Sequence, residues 1–385
     1  MSWLIHDLHD CLFGVEAYKE IGTRLKGYGA TKIWYIYDAA LKDMADKVTP
    51  IMEEAGLEVM MYAAEPGEPD NEMCQRAVDS CKAFGADGIV GIGGGATMDT
   101  AKMVGKTIAN GGKVMDYLGG YTALNVGTKV FSPIVLIPTT AGTGSEVSYG
   151  LAIHNNDTGL KTFVVHPATL ALIDPVLTVG MPKPVTAATG ADALAHSMES
   201  LCNADAMPNW MGDMICKEGI RQYNMWMMKA YDEPDNLDAR AGMSYSAMLG
   251  GYAITLRKTT FGHALANQIS NNYPYGHGVA IGPGNSVVTR YIAKADHASV
   301  KRIAPCFDIP CPEGADLQAV GQKIVERVDE IQKHCQMKNM KELGLPESFC
   351  DMAADEISKD TKWKIVPNPP DFELLRQIIH EAYDC

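Results

Sequence analysis

Short apolar runs alternate with longer amphipathic stretches through the first half of the chain. Residues 32–37 (Lys-Ile-Trp-Tyr-Ile-Tyr), 57–62 and 88–92, and the run ending Val135-Leu136-Ile137-Pro138, read as buried strands. Residues 41–56, 71–85 and 98–108 carry helical spacing between them, with Gly56 as a stop signal. Strand–helix alternation predicts a parallel sheet covered on both faces. Around Pro182-Lys183-Pro184 the texture changes. Helical patterns then dominate, at 185–203, 210–228, 238–252, 263–271 and 314–334. The expectation is an α/β domain over residues 1–185 and an all-helical domain over 186–385. No internal repeat or low-complexity tract interrupts them.

Composition narrows the partners. The 385 residues are 46% hydrophobic and 21% charged, ordinary for a globular protein. Lys and Arg number 33 against 47 Asp and Glu, a formal charge of −14. Such a surface repels phosphate backbones and anionic lipid, so nucleic acid and membrane are poor partners. No apolar window approaches the roughly 18 residues of a membrane span. The first ten residues carry acids and histidines where a secretory signal needs a basic start and an apolar stretch. Ten irregularly spaced cysteines with no C-x-x-C pair read as reduced thiols of a cytoplasmic protein.

Three patterns carry chemistry. Gly91-Ile92-Gly93-Gly94-Gly95-Ala96-Thr97-Met98-Asp99 follows a strand and opens a helix, the setting in which glycines admit a phosphate to free N–H groups. The usual dinucleotide fingerprint has an acid about 20 residues after its glycines; none stands there. Asp38, ending the strand at 32–37, could bind the adenosine ribose hydroxyls instead and disfavour a 2′-phosphate, or simply form the turn. A second post-strand loop, Pro138 to Glu146, is rich in hydroxyls and small residues that suit a cofactor's sugars and amide. Finally, Asp192 and His196 stand four apart on one helical face. His263 opens a later helix and His277 sits in a Pro/Gly turn. One carboxylate and three imidazoles form a candidate transition-metal set. His6, His9, His154, His166, His297, His334 and His380 read as structural.

Taken together, the motifs at 93–102 (Gly-Gly-Gly-Ala-Thr-Met-Asp-Thr-Ala-Lys), 138–146, 173–182, 189–196 (Thr-Gly-Ala-Asp-Ala-Leu-Ala-His) and 262–278 (Gly-His…Gly-His-Gly) resemble those of the iron-containing (group III) alcohol dehydrogenases, over nearly the whole chain. The resemblance implies the dehydroquinate synthase-like architecture: an N-terminal nucleotide-binding domain, a helical C-terminal domain, and an active site in the cleft. It implies Asp192, His196, His263 and His277 as ligands of Fe²⁺, with Zn²⁺ or Mn²⁺ as substitutes. For NAD(H) it implies Asp38 at the ribose, Gly94, Gly95 and Ala96 at the pyrophosphate, and Asp99 near the nicotinamide ribose. Thr139, Thr140, Thr143, Lys161 and Leu177 would line the remainder. It implies reversible hydride transfer between NAD and a short-chain primary alcohol or aldehyde, in a homodimer or higher oligomer.

Two departures concern the substrate side. Relatives often carry a histidine where Asn267 stands, and an amide cannot relay a proton at neutral pH. Arg257-Lys258 replace small or uncharged residues before the Gly-His motif. The expectation is that Arg257 faces the substrate and binds an anionic group, as in a sulfoacetaldehyde-like aldehyde. Alternatives are a diol or glycerol dehydrogenase of the same superfamily, a dehydroquinate-synthase-like NAD- and metal-dependent lyase, which would want a Glu/His/His set and a basic pocket, and a non-catalytic nucleotide-binding scaffold.

Overall fold

A computed structural model describes residues 10–119, 128–204, 210–360 and 363–385; His6, His9 and the N-terminal segment weighed as a signal lie outside them. The chain divides into two compact units. Of the described residues, one takes 10–140 together with Gly144–Thr178; the other takes Ala141–Thr143 and Val179–Cys385.

The first unit is built on a six-stranded parallel sheet. Its strands are β1 (Asp10–Phe13), β2 (Lys32–Asp38), β3 (Glu58–Ala64), β4 (Gly88–Gly93), β5 (Ile134–Pro138) and β8 (Leu170–Ile173), in the order β1-β8-β5-β4-β2-β3. Alternation along each strand sends side chains to opposite faces. Trp34, Ile36, Ile89, Ile134 and Leu136 pack on one side with α3 (Asn71–Phe84) and α4 (Gly95–Asn110). Ile33, Tyr35, Tyr37, Val90, Ile92, Val135 and Ile137 pack on the other with α1 (Ile21–Gly27) and α2 (Lys42–Glu54). Helix α3 starts where the Asp70 carboxylate accepts the N–H groups of Glu72 and Met73 at 2.8 and 2.7 Å. It stops at Gly85, whose φ of 71° favours glycine. The sequence pattern did not anticipate β1, β8 or the antiparallel ribbon of β6 (Gly150–Asn155) and β7 (Leu160–Val165).

His166 follows the ribbon, is 1% exposed, and accepts the Phe131 N–H through Nε2 at 3.4 Å. Burial, reinforced by Lys106 and Lys102, pushes its pKa down to about 3. Below its unfolded pKa of about 6.5 the unfolded chain takes up a proton that the native one refuses. Stability is therefore intact above that pH and falls by about 1.4 kcal/mol per unit beneath it. Between pH 6.5 and 5 this residue is expected to cost about 2 kcal/mol. Urea midpoints at both pH values for wild type and His166→Gln check it; an unchanged pH dependence in the variant contradicts it.

The second unit contains helices α5 (Lys183–Leu201), α6 (Trp210–Asp232), α7 (Leu237–Leu256), α8 (Phe261–Asn272), α9 (His277–Ala295), α10 (His297–Ile303), α11 (Leu317–His334), α12 (Ser348–Lys359) and α13 (Phe372–Glu381). Helix α5 is the centre of this unit: every residue from Gly190 to Leu201 is buried. Small residues let its neighbours close on it. A Cβ at Gly250 of α7 would lie 3.1 Å from the His196 Cβ, and one at Gly278 of α9 would lie 3.1 Å from the Ala188 carbonyl oxygen. A Cβ at Gly284 would sit 2.7 Å from the Gly262 carbonyl oxygen, so α8 and α9 touch backbone to backbone. Among the described residues no helix is long and apolar enough to cross a membrane.

Candidate active site

The chain leaves β2 toward β3 on one side and returns to β4 on the other, so the direction of strand order reverses between β2 and β4. At such a point the carboxyl ends of neighbouring parallel strands open a crevice suited to a nucleotide. Asp38 ends β2, and Gly94 caps α4 directly after β4. A cavity of about 180 Å³ lies there, lined by Asp38, Ala96, Thr97, Thr100, Tyr62 and Gly67 among others. The Asp38 carboxylate also accepts the Ala40 N–H at 3.0 Å, so it forms the turn and still faces the cavity. A Cβ on Gly93 would strike the Thr97 hydroxyl at 2.7 Å, which keeps this bend glycine. Glu65 lines the cavity as well, held by Arg76 at 2.7 Å through each of two nitrogens. Sequence reading missed it, because nothing local to Glu65 marks it.

The other expected cofactor residues lie on several elements. Thr139 follows β5, is buried, and donates its N–H to the Gly93 carbonyl at 3.0 Å. Thr140 lies beside Gly94, 3.8 Å from the position a Cβ there would take. Thr143 belongs to the three-residue segment counted with the second unit. Leu177 is buried in the core shared with Ile33 and Tyr35. Lys161 of β7 pairs with Glu68 at 2.8 Å. Asp99 is engaged inside its own unit: it accepts the Ser145 hydroxyl at 2.5 Å and the Ala152 N–H at 2.9 Å, 3.3 Å from the Lys102 ammonium. Lys102 is fully buried and donates to the carbonyls of Ser145 and Gly150 at 2.9 and 2.5 Å. Burial lowers its pKa, while burial of the neighbouring Glu146 raises that carboxyl to about 7. This network ties the helix of the glycine motif to the hydroxyl-rich loop. Lysine in an otherwise helical run gave no warning of it.

In the second unit the four candidate ligands converge. The Asp192 Oδ1 atom lies 3.5 Å from His196 Nε2, 3.7 Å from His263 Nε2 and 3.6 Å from His277 Nε2. One ligand atom each from Asp192, His196 and His263 falls within 4.8 Å of the other two. His277, expected in a turn, is the first residue of α9. Among the described residues, neither Asp192 Oδ1 nor His263 Nε2 has a hydrogen-bond partner, although both are buried. Burying an unsatisfied polar atom is costly, so this arrangement calls for an ion. The donors fit one: four atoms about 2.1 Å from a common centre in tetrahedral array would stand about 3.4 Å apart. Burial opposes the charge on Asp192, but His196 and the other two imidazoles hold its carboxyl well below the usual range. Burial pushes His196 down to about 4, leaving a neutral imidazole at pH 7, the form that ligates.

Behind His263 stands Glu199, which sequence reading passed over. It is fully buried, and it accepts His263 Nδ1–H at 2.6 Å, the Thr260 N–H at 2.6 Å and the Thr260 hydroxyl at 2.8 Å. Burial opposes its charge, yet His263 and Thr260 keep its pKa lowered. Its signal was the spacing: Glu199 follows Asp192 and His196 by seven and three residues, on the same side of α5.

Arg257 requires a correction. It was expected to meet an anionic substrate. Instead its guanidinium is buried, donates to Asp213 Oδ1 at 2.5 Å and to the Ser200 carbonyl at 3.2 Å, and shares Asp213 with Arg302. A carboxylate 44 residues away in sequence already engages that charge. Asn267 lies one turn after His263 on α8 and is half-buried.

Comparison with known proteins gives the family. The family model described as iron-containing alcohol dehydrogenase matches residues 9–175, and that of the Fe-containing alcohol dehydrogenase family C-terminal region matches 186–383. The chain is 29% identical over 380 residues to the NAD-dependent methanol dehydrogenase of Bacillus methanolicus, covering 96% of this chain and 97% of that one. It is 31% identical over 288 residues to the sulfoacetaldehyde reductase of Bilophila wadsworthia, covering 73% and 72%. A solved 1,3-propanediol oxidoreductase superposes with a TM-score of 0.90 at 26% identity, over 99% of this chain and 100% of that one. With a parallel-sheet unit and a helical unit that gathers one carboxylate and three imidazoles, the chain belongs to the iron-containing alcohol dehydrogenase family, oxidoreductases that act on CH–OH groups.

Proposed function

We propose that this protein interconverts a short-chain primary alcohol and its aldehyde with NAD(H), residues 1–185 binding the dinucleotide and 186–385 the metal and substrate. The observation that carries the reading is the cluster of Asp192, His196, His263 and His277 with its buried, partnerless Oδ1 and Nε2 atoms. These residues would hold Fe²⁺, and Zn²⁺ or Mn²⁺ suit the same donors. A divalent ion bound there supplies Lewis acidity that lowers an alcohol's pKa, and NAD supplies the hydride acceptor.

The chain's own groups position and enclose. Asp38 would accept hydrogen bonds from the ribose hydroxyls, and its charge disfavours a 2′-phosphate. The N–H groups from Gly94, Gly95 and Ala96 at the start of α4 would meet the pyrophosphate, aided by the helix dipole. Asp99, Thr139, Thr140, Thr143, Lys161 and Leu177 complete the proposed cofactor lining. Burial of Asp192, His196 and His263 keeps bulk water from three of the four donors. Asn267, an amide, would supply no proton at neutral pH, so a relay through this position is not part of the proposal. The lyase alternative fits poorly, because aspartate with three histidines replaces its Glu/His/His set. The ten cysteines, none in a disulfide, suit the cytoplasm, where we place the protein as a homodimer.

The relatives favour a second reading of the substrate: the sulfoacetaldehyde reductase of Bilophila wadsworthia and the 1,3-propanediol dehydrogenase of Citrobacter freundii, 32% identical over 289 residues, point to an anionic aldehyde or a diol. The test is NADH oxidation by the metal-loaded protein against propanal, 3-hydroxypropanal and sulfoacetaldehyde. Turnover that a chelator abolishes and the metal restores is expected; turnover unaffected by chelation would overturn the proposal. Because Asp213 engages Arg257, Arg257→Ala is expected to lower kcat/KM for propanal and sulfoacetaldehyde by the same factor. A selective loss on sulfoacetaldehyde would return Arg257 to the substrate.

A further inference from the structure

We propose that Glu199 is a positioning residue of the metal centre, one that fixes His263 with its proton on Nδ1 and its Nε2 lone pair turned toward Asp192. This rests on the reading of the four convergent residues as metal ligands. Of the three imidazoles, His196 and His277 have no hydrogen-bond partner at Nδ1 among the described residues, whereas His263 has one. One imidazole is therefore locked by the protein and two are left to orient on the ion.

The lock is specific to a carboxylate. Glu199 Oε2 accepts the Thr260 N–H, the Thr260 hydroxyl and, at 3.3 Å, the His263 N–H. Oε1 accepts the His263 ring at 2.6 Å. Two backbone N–H groups are obligate donors to Oε2, and an ionised Oε1 can only accept, so the ring must present N–H at Nδ1. An imidazole protonated there keeps Nε2 free to bind metal, and a carboxylate partner raises its basicity. The same contacts cap α8 from outside the helix. Gly262 makes room, since a Cβ there would come within 2.7 Å of Glu199 Oε1.

Glutamine at 199 is nearly isosteric yet cannot reproduce this. If its oxygen serves Thr260 and the His263 N–H, its NH₂ faces Nδ1 and drives the ring proton onto Nε2, the atom needed for the ion. If its oxygen serves the ring, its NH₂ opposes two N–H groups. Glu199→Asp keeps the charge but withdraws it by one methylene.

The experiment uses the full chain, freed of metal, with Zn²⁺ as the probe in competition with a chromophoric chelator. Nitrogen-15 spectra of histidine-labelled metal-free protein report the His263 tautomer. We expect Zn²⁺ to bind Glu199→Gln and Glu199→Asp about 10- to 100-fold more weakly than wild type, with the Glu199→Gln ring shifted to Nε2–H. Thr260→Val, which removes one cap donor and leaves the ring contact, is expected to lower thermal stability while keeping Zn²⁺ affinity within about twofold of wild type. A folded Glu199→Gln or Glu199→Asp that binds within twofold of wild type, or a wild-type ring already protonated on Nε2, would overturn the role of Glu199. A wild-type chain that takes up no Zn²⁺ would overturn the metal-centre reading itself.

Discussion

Replacing His263 with alanine is expected to strip the protein of its metal and its turnover together. The ring supplies one of four convergent donors, and its Nε2 is 3.7 Å from the Asp192 oxygen at the middle of the set. Without it three donors remain, and the Glu199 carboxylate behind loses a charge-assisted partner in a fully buried place. Lewis-acid assistance is worth several kcal/mol; a loss of about 4 kcal/mol lowers kcat/KM by about 10³-fold. Metal analysis of purified protein, beside NADH formation with 1-propanol, measures both. The variant should still fold, because α8 keeps its other contacts. A His263→Ala protein retaining stoichiometric metal and wild-type rate would refute the ligand set.

A second large effect is expected far from any donor atom. Gly284→Val places branched carbon where α9 meets α8, with a carbonyl oxygen 2.7 Å and its carbon 3.1 Å from the new Cβ. Backbone cannot rotate aside as a side-chain tip can, so the helices must separate. Overpacking of this kind costs about 1–3 kcal/mol or more. His263 stands next to Gly262 on one helix and His277 begins the other, so separation also spreads the donors. The variant should lose thermal stability and bind Zn²⁺ at least about 10-fold more weakly, a shift of about 1.4 kcal/mol. Gly282→Ala is the control: two residues away on the same helix, its Cβ would meet nothing closer than 4.0 Å, and alanine favours helix by up to about 1 kcal/mol. If Gly284→Val were as stable as Gly282→Ala, the close approach would not be what sets the site.

The sequence by itself determined what local rules can reach. Buried apolar runs at 32–37 and 88–92 became β2 and β4, and helical spacing bounded by Gly56 and Gly85 became α2 and α3. The glycine run sits at a strand–helix junction as its conformational freedom requires, and Asp192 and His196 share a face because 3.6 residues make a turn. Tertiary structure alone decided what depends on distant partners. Helix α9 was unreadable because Pro283 and three glycines, poor helix formers, crowd its first two turns. Bringing His263 and His277 to Asp192 takes helix crossings that Gly278 and Gly284 permit, across 71 and 85 residues of chain (263 − 192 and 277 − 192). Arg257 looked free for substrate because its Asp213 partner lies on another helix, and Glu199 looked ordinary because Thr260 and His263 meet it from α8. Periodicity records which face of an element is buried. Which charge it meets there depends on the packing of whole helices, and no short window of sequence contains that.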